Sequence, residues 1–137
     1  MTAPREMTLR EVVAMAQGMV LMDDQVKLGF IASSQESATC TGFAVAKMLT
    51  PHGATWHPAY QQVRWPSGAA MTFLSARVPN RLRGFRWAAA FLSAPASAST
   101  EVFDQAAMNV RPPGAGVILC AEVANRSALD EQLHAAA

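Results

Sequence analysis

Apolar residues recur at helical spacing in two stretches near the start of the chain. The first stretch, residues 9–20, follows a capping-box pattern formed by Thr8 and Glu11, so it predicts an amphipathic helix with a defined start. The second stretch, residues 38–49, is followed by Pro51 and Gly53. Because proline and glycine end helices, this pattern predicts a second helix of similar length.

Short apolar runs between the polar breaks have the character of strands. Three of them lack the alternation of a half-exposed strand and are typical of a parallel sheet that is buried on both faces: residues 26–32, 88–92 and 117–123. Residues 56–65 and 70–76 instead flank a tight turn of Pro66, Ser67 and Gly68. This arrangement predicts an antiparallel hairpin.

Two more helices are predicted in the last third of the chain. Ser99 or Thr100 can cap a helix with an apolar side that extends to Val110, and residues 111–114 (R-P-P-G) end it. Ser127 with Asp130 can cap a terminal helix. Helices thus alternate with strands, which favours one α/β domain over residues 1–137, in three layers, with a mostly parallel sheet and one antiparallel hairpin.

Composition limits the functions that this chain can have. Hydrophobic residues make up 51% of it and charged residues 15%, below the usual share of about 25%. Either a partner covers part of the surface, or this is a small alanine-rich domain. The net charge of +1 gives no global electrostatic case for nucleic-acid binding. We see no signal peptide and no apolar run of the roughly 20 residues that a membrane helix needs, so we expect a cytoplasmic protein.

The residue types that usually carry chemistry are scattered. His52, His57 and His134 have no carboxylate or cysteine at ligand spacing, so we expect no metal site and no cofactor. Cys40 and Cys120 are too few for a disulfide framework, and their spacing to the histidines does not indicate a nucleophile pair. Buried, unreactive thiols are the commoner case.

An arginine cluster is the most distinctive local feature. Arg77, Arg81, Arg83 and Arg86 lie within ten positions of one another, with Gly84 among them. They could contact DNA phosphates or an acidic patch on a partner. Alternatively, they only solvate a loop and pair with nearby carboxylates.

The segments around this cluster resemble a known family. The chain reads W-P-S-G-A at 65–69, S-A at 75–76, P-N-R-L-R-G at 79–84 and A-A-F at 89–91. This resembles the middle of the ATPase domain of phage terminase large subunits, the DNA-packaging motors of tailed phages and gene transfer agents. The family pattern is W-P-N-G-A, F-S-A, P-E-x-L-R-G and D-A-A-W-x-D-E. The resemblance implies a P-loop-NTPase-like core and makes Arg83 the arginine that matches the family motif.

The same resemblance implies that the ATPase chemistry is missing. The family's closing Asp-Glu pair, the Walker B acids, falls on Ser93 and Ala94. The phosphate loop would precede the helix at 9–20, and neither Lys27 nor Lys47 follows a glycine-rich loop. The family's T-T-T-P segment falls on residues 120–123, which read C-A-E-V. We therefore expect no ATP hydrolysis.

These observations predict a non-catalytic, terminase-like module in phage or gene-transfer-agent DNA packaging or particle assembly. It would bind packaging or structural proteins, or duplex DNA, through the arginine cluster. One alternative is a subunit of an ATPase that another chain completes in trans, and another is a purely structural particle protein. We also expect a homo-oligomer, because an uncovered sheet edge promotes pairing between copies.

Overall fold

The computed structural model describes residues 6–77, 79–110 and 116–135. This part of the chain forms one mixed sheet with helices on both faces, so the predicted α/β class is confirmed. The helices are α1 (Leu9–Met22), α2 (Gln35–Met48), α3 (Thr100–Asn109) and α4 (Arg126–Ala135). The strands are β1 (Lys27–Ala32), β2 (Thr55–His57), β3 (Gln62–Arg64), β4 (Ala70–Ser75), β5 (Ala89–Ser93) and β6 (Gly116–Cys120).

The strand order across the sheet is β2-β3-β4-β1-β5-β6. Strands β4, β1, β5 and β6 are parallel, and β2 and β3 extend the sheet in antiparallel pairing. The chain leaves β1 towards the β4 side and leaves β5 towards the β6 side. The carboxyl ends of β1 and β5 therefore flank a switch point, where α/β proteins commonly place their sites.

Two apolar cores lie on opposite faces of the sheet. The larger core packs α1, α2 and α4 against residues such as Phe30 and Phe73, whose ring centroids are 5.1 Å apart. The smaller core packs α3 against Ile31 and Leu92. Because successive strand residues point to opposite faces, Phe30 and Ile31 enter different cores. This arrangement explains why the middle of β1 and β5 is apolar on both faces, and it confirms the three layers.

Two predicted helix starts are confirmed. Thr8 accepts a hydrogen bond from the Glu11 N–H at 3.2 Å, and the Glu11 carboxylate accepts the Thr8 N–H at 3.1 Å, which completes a capping box. Of the two candidate caps for α3, Ser99 is the one used, because its hydroxyl accepts the N–H of Val102 at 3.3 Å.

The predicted strand at 56–65 is wrong in one respect: it is two strands. A 3₁₀ turn, Pro58–Tyr60, separates β2 from β3. Proline has no N–H to donate to a ladder, and Gln61 takes up a left-handed backbone with φ of 51°. The chain therefore reverses there, and the predicted hairpin becomes a three-stranded antiparallel unit of β2, β3 and β4.

The C-terminal boundaries also differ from the prediction. Strand β6 ends at Cys120 rather than at residue 123, because the N–H of Val123 donates to the Thr41 hydroxyl on α2, at 2.9 Å, instead of joining the sheet. Helix α4 is capped by Asn125, whose side chain accepts the Ala128 N–H at 3.0 Å, and not by Ser127. The predicted stop at 111–114 lies outside the described residues.

Candidate functional site

The four predicted arginines lie on the connection from β4 to β5, which we call the arginine segment (residues 77–86). All four side chains are exposed. Because β4 and β5 are parallel, this connection must cross one face of the sheet. Leu82 belongs to the smaller core, so the connection crosses the face that carries that core. A 3₁₀ turn, Pro79–Leu82, forms its first part, and Gly84, with φ of 87°, forms the bend that follows. The left-handed backbone at this bend explains the preference for glycine there.

Two buried residues fix the ends of this bend. Leu82 and Trp87 both belong to the smaller core. The side-chain amide of Asn109, at the end of α3, donates to the Leu82 carbonyl, and the Asn109 carbonyl accepts the Trp87 N–H at 2.8 Å. Gln105 donates to the Asn109 side-chain oxygen at 3.2 Å, which orients the amide. Arg83 and Arg86 are therefore displayed from a bend that is held at both ends.

The fixed position of Trp87 also depends on the central strand. A Cβ atom on Gly29 of β1 would lie 2.3 Å from the Trp87 ring, so only glycine leaves room for the indole. Phe85 stacks on Trp87 with ring centroids 5.3 Å apart. This stack supports the part of the segment between Arg83 and Arg86.

The arginines do not form one patch but fall into two pairs, each at a pocket. Pocket A has a volume of about 590 Å³ and is lined by Arg77 and Arg81 together with residues from β3, β4 and the turn before β3. Pocket B has a volume of about 580 Å³ and is lined by Arg83 and Arg86 together with the end of α3. Phe85 lines both pockets.

These arginines have no acidic partner among the described residues. The ion pair that this part of the chain does show joins Arg126 to Asp130 at 3.6 Å on α4. The alternative interpretation, in which nearby carboxylates neutralise the cluster, is therefore not what the described residues show.

The distribution of charge along the sequence could have predicted that the arginines lack acidic partners among the described residues. From residue 37 to residue 100 the chain has six Lys and Arg and no Asp or Glu. The net charge of +1 hides this imbalance, because every acidic residue lies outside that stretch. The stretch of sequence that contains the arginine segment is therefore cationic.

The two positions matched to the Walker B acids lie at the carboxyl end of β5. Ser93 is buried, and its hydroxyl accepts the N–H of Ala96 at 3.3 Å. Ala94 follows the strand, and its N–H donates to the Cys120 carbonyl at 3.1 Å. Neither side chain carries a carboxylate. An acid is nevertheless close by, in the segment that follows the neighbouring strand β6.

That acid is Glu122, to which the sequence interpretation gave no role. Its carboxylate accepts the Ser33 N–H at 3.1 Å and the Ser33 hydroxyl at 2.7 Å, and it also accepts the hydroxyls of Ser37 and Ser93. Burial raises the pKa of Glu122, but the hydrogen bonds from Ser37, Ser93 and Ser33 outweigh it, so the net pKa is lowered from 4.5. The one signal in the sequence was an acid directly after an apolar run.

The serine–glutamate cluster at the switch point joins several elements of the fold through hydrogen bonds to one carboxylate. Ser37 and Ser93 are fully buried, and no described histidine bonds to them. The carboxylate occupies the start of α2, where an anionic ligand would otherwise be favoured. It ties the end of β6 to β1, α2 and β5 instead.

Both cysteine thiols are shielded from solvent in the folded chain. Cys40 and Cys120 are free and buried, as expected. Burial raises the pKa of both thiols, that of Cys120 to about 12, so neither is a thiolate at neutral pH. The described residues include no group of three or more His, Cys, Asp and Glu that could hold a metal ion, and no helix among them is long and apolar enough to cross a membrane.

Comparisons of this chain with protein-family models, with curated proteins and with solved structures found no match.

Proposed function

We propose that this chain is a non-catalytic, terminase-like module that acts in phage or gene-transfer-agent DNA packaging or particle assembly, and that it binds nucleic acid through the arginine segment. One observation carries the proposal. Four exposed arginines, within a stretch that has no Asp or Glu, pair with no carboxylate among the described residues.

The arrangement suits phosphate binding in particular. A guanidinium presents a planar set of donors that matches a phosphate, and the bond is charge-assisted. Arg83 and Arg86 sit on a bend held by Asn109 and by the Phe85–Trp87 stack, so little conformational freedom of the backbone is lost on binding. The second pair, Arg77 and Arg81, extends the cationic surface to pocket A.

The position of the matched motifs supports the terminase-like part of the proposal. W-P-S-G-A forms the turn between β3 and β4, and P-N-R-L-R-G lies within the arginine segment. Ser93 and Ala94 lie at the carboxyl edge of parallel strands, where α/β proteins place phosphate-handling residues. Without carboxylates there, and with Glu122 held by three serines, the module would bind and not hydrolyse. It would act in the host cytoplasm or on the particle.

The experiment is a titration of a short fluorescent DNA duplex, followed by anisotropy over a range of salt concentrations. The double variant Arg83→Gln/Arg86→Gln should bind more weakly, and the slope of log K against log salt should fall by about 0.9 for each phosphate that the variant no longer neutralises. Arg126→Gln is the matched control, because Arg126 is exposed and distant in sequence from the segment. Equal binding by the double variant and the control would remove the arginine segment from the proposal.

A further inference from the structure

We infer that pocket A receives an unpaired nucleobase, which stacks on Tyr60 while the phosphate of the same nucleotide contacts Arg77 or Arg81. This inference rests on the proposed function, and it adds a ligand class to it: single-stranded DNA, or the unpaired end of a duplex.

Tyr60 is the first observation behind this inference. Its side chain is 65% exposed although it is large and apolar over most of its surface, and it lines pocket A. The guanidinium of Arg64 lies 4.6 Å from the centroid of its ring. Exposed aromatic rings next to arginines are the usual stacking platforms for unpaired bases.

The platform is also held in place before any ligand binds. Tyr60 ends the 3₁₀ turn that separates β2 from β3. The next residue, Gln61, has a left-handed backbone, which a residue other than glycine adopts only where the surroundings enforce it. Its side-chain oxygen accepts bonds from Thr39 at 2.9 Å and Gln35 at 3.1 Å, and its amide donates to the Pro58 carbonyl at 3.0 Å. The turn that carries Tyr60 is thus tied to α2.

The volume of pocket A and the charge of its lining indicate the class of ligand that it fits. A volume of about 590 Å³ lies within the range of small-molecule sites, about 300–1,000 Å³. Arg77 and Arg81 supply the cations, and none of the described residues that line the pocket is acidic. A nucleotide carries a flat ring and an anionic phosphate in one unit, and it therefore matches both features. An acidic peptide matches only the charges.

The test uses single-stranded DNA that carries the fluorescent base 2-aminopurine, and a blunt duplex of the same length. Binding of the whole protein should quench the 2-aminopurine. Tyr60→Ala should abolish the quenching and weaken single-strand binding roughly tenfold, while duplex affinity stays within about twofold. Tyr60→Phe, which keeps the ring, should behave like the unaltered protein. Because Tyr60 is exposed, neither variant should unfold the chain.

The outcomes separate this inference from the proposed function. Duplex binding without quenching of the single strand would overturn the inference and leave the proposed function standing. Quenching that survives Tyr60→Ala would also overturn it, because the base would then lie elsewhere. A polyglutamate peptide that displaces the single strand from the unaltered protein and from Tyr60→Ala with equal potency would show that pocket A selects charge alone. Failure to bind either form of DNA would overturn both.

Discussion

The side-chain amide of Asn109 donates to the backbone carbonyl of Leu82, 27 positions earlier in the chain. Asn109 is 4% exposed, and its own carbonyl accepts the N–H of Trp87. One residue at the end of α3 therefore fixes both ends of the bend that carries Arg83 and Arg86. The display of these arginines depends on a buried polar contact and not on the loop alone.

Replacing Asn109 should loosen this bend. Asn109→Ala leaves the buried Leu82 carbonyl without its donor, which costs about 1–3 kcal/mol of folding free energy. DNA affinity should fall as well, because the arginines lose their fixed spacing. Chemical denaturation measures the first effect and anisotropy the second. Gln105→Ala removes only the bond that orients the Asn109 amide, so it should reduce folding stability and DNA affinity less than Asn109→Ala does. If Asn109→Ala has the unaltered protein's stability and affinity, Asn109 does not hold the bend.

Two glycine-to-alanine substitutions should have opposite effects on stability. In Gly29→Ala, the new methyl group would lie 2.3 Å from the Trp87 ring, and such overpacking costs about 1–3 kcal/mol. Gly18 lies on α1, and in Gly18→Ala the new Cβ would meet nothing within 4 Å. Alanine inside a helix is favoured over glycine by about 0.5–1 kcal/mol. Urea denaturation of both variants checks this pair. A stable Gly29→Ala protein would show that Trp87 is not packed on β1.

Glu122 should make stability depend on pH in the acidic range. Because its pKa is lower in the folded protein than the ordinary value of 4.5, its stabilising contribution is present above pH 4.5 and is lost as the pH falls through the folded pKa. Glu122→Gln should destabilise the protein at neutral pH, by about 1–3 kcal/mol, and the difference from the unaltered protein should shrink below pH 4.5.

Unfolding midpoints measured between pH 7 and pH 3 check this prediction. Glu131→Gln, on the exposed side of α4, is the control for removal of one negative charge. If both variants change the pH profile equally, the effect reflects net charge and not the bonds from Ser33, Ser37 and Ser93.

ATP turnover should be absent with magnesium present. Ser93 and Ala94 supply no carboxylate, and Glu122 is occupied by serine hydroxyls. A phosphate-release assay measures this directly. Turnover that appears only after a second chain with a phosphate loop is added would favour the alternative, in which this chain completes an ATPase in trans.

The elements that sequence patterns predicted well are those that depend on local contacts. The capping box of Thr8 and Glu11 and the apolar central strands follow from spacing alone, and both are confirmed. The division of the predicted 56–65 strand is explained by Pro58 and by Gln61, whose left-handed backbone depends on bonds to α2. Contacts between residues so far apart in sequence leave no periodic signal.

The residues of the candidate site show the same difference between local patterns and distant contacts. Arg77, Arg81, Arg83 and Arg86 were identified from their clustering, and the structure brings them together in pairs rather than as one patch. Tyr60 and Asn109 were missed, because their importance comes from a turn and a helix end that meet the segment only after folding. Glu122 was visible as an acid after an apolar run, but its serine partners lie at the start of α2 and at the end of β5 and meet it only after folding. Self-association stays a prediction.

The most direct test of the central claim is the mass of the purified protein in solution, measured by light scattering with and without duplex DNA at low and moderate salt. The proposed function predicts a DNA-dependent increase in mass at low salt that declines at moderate salt, because phosphate binding releases counterions. A defined homo-oligomer whose mass is the same with and without DNA would contradict it. That result would favour a structural role in the particle.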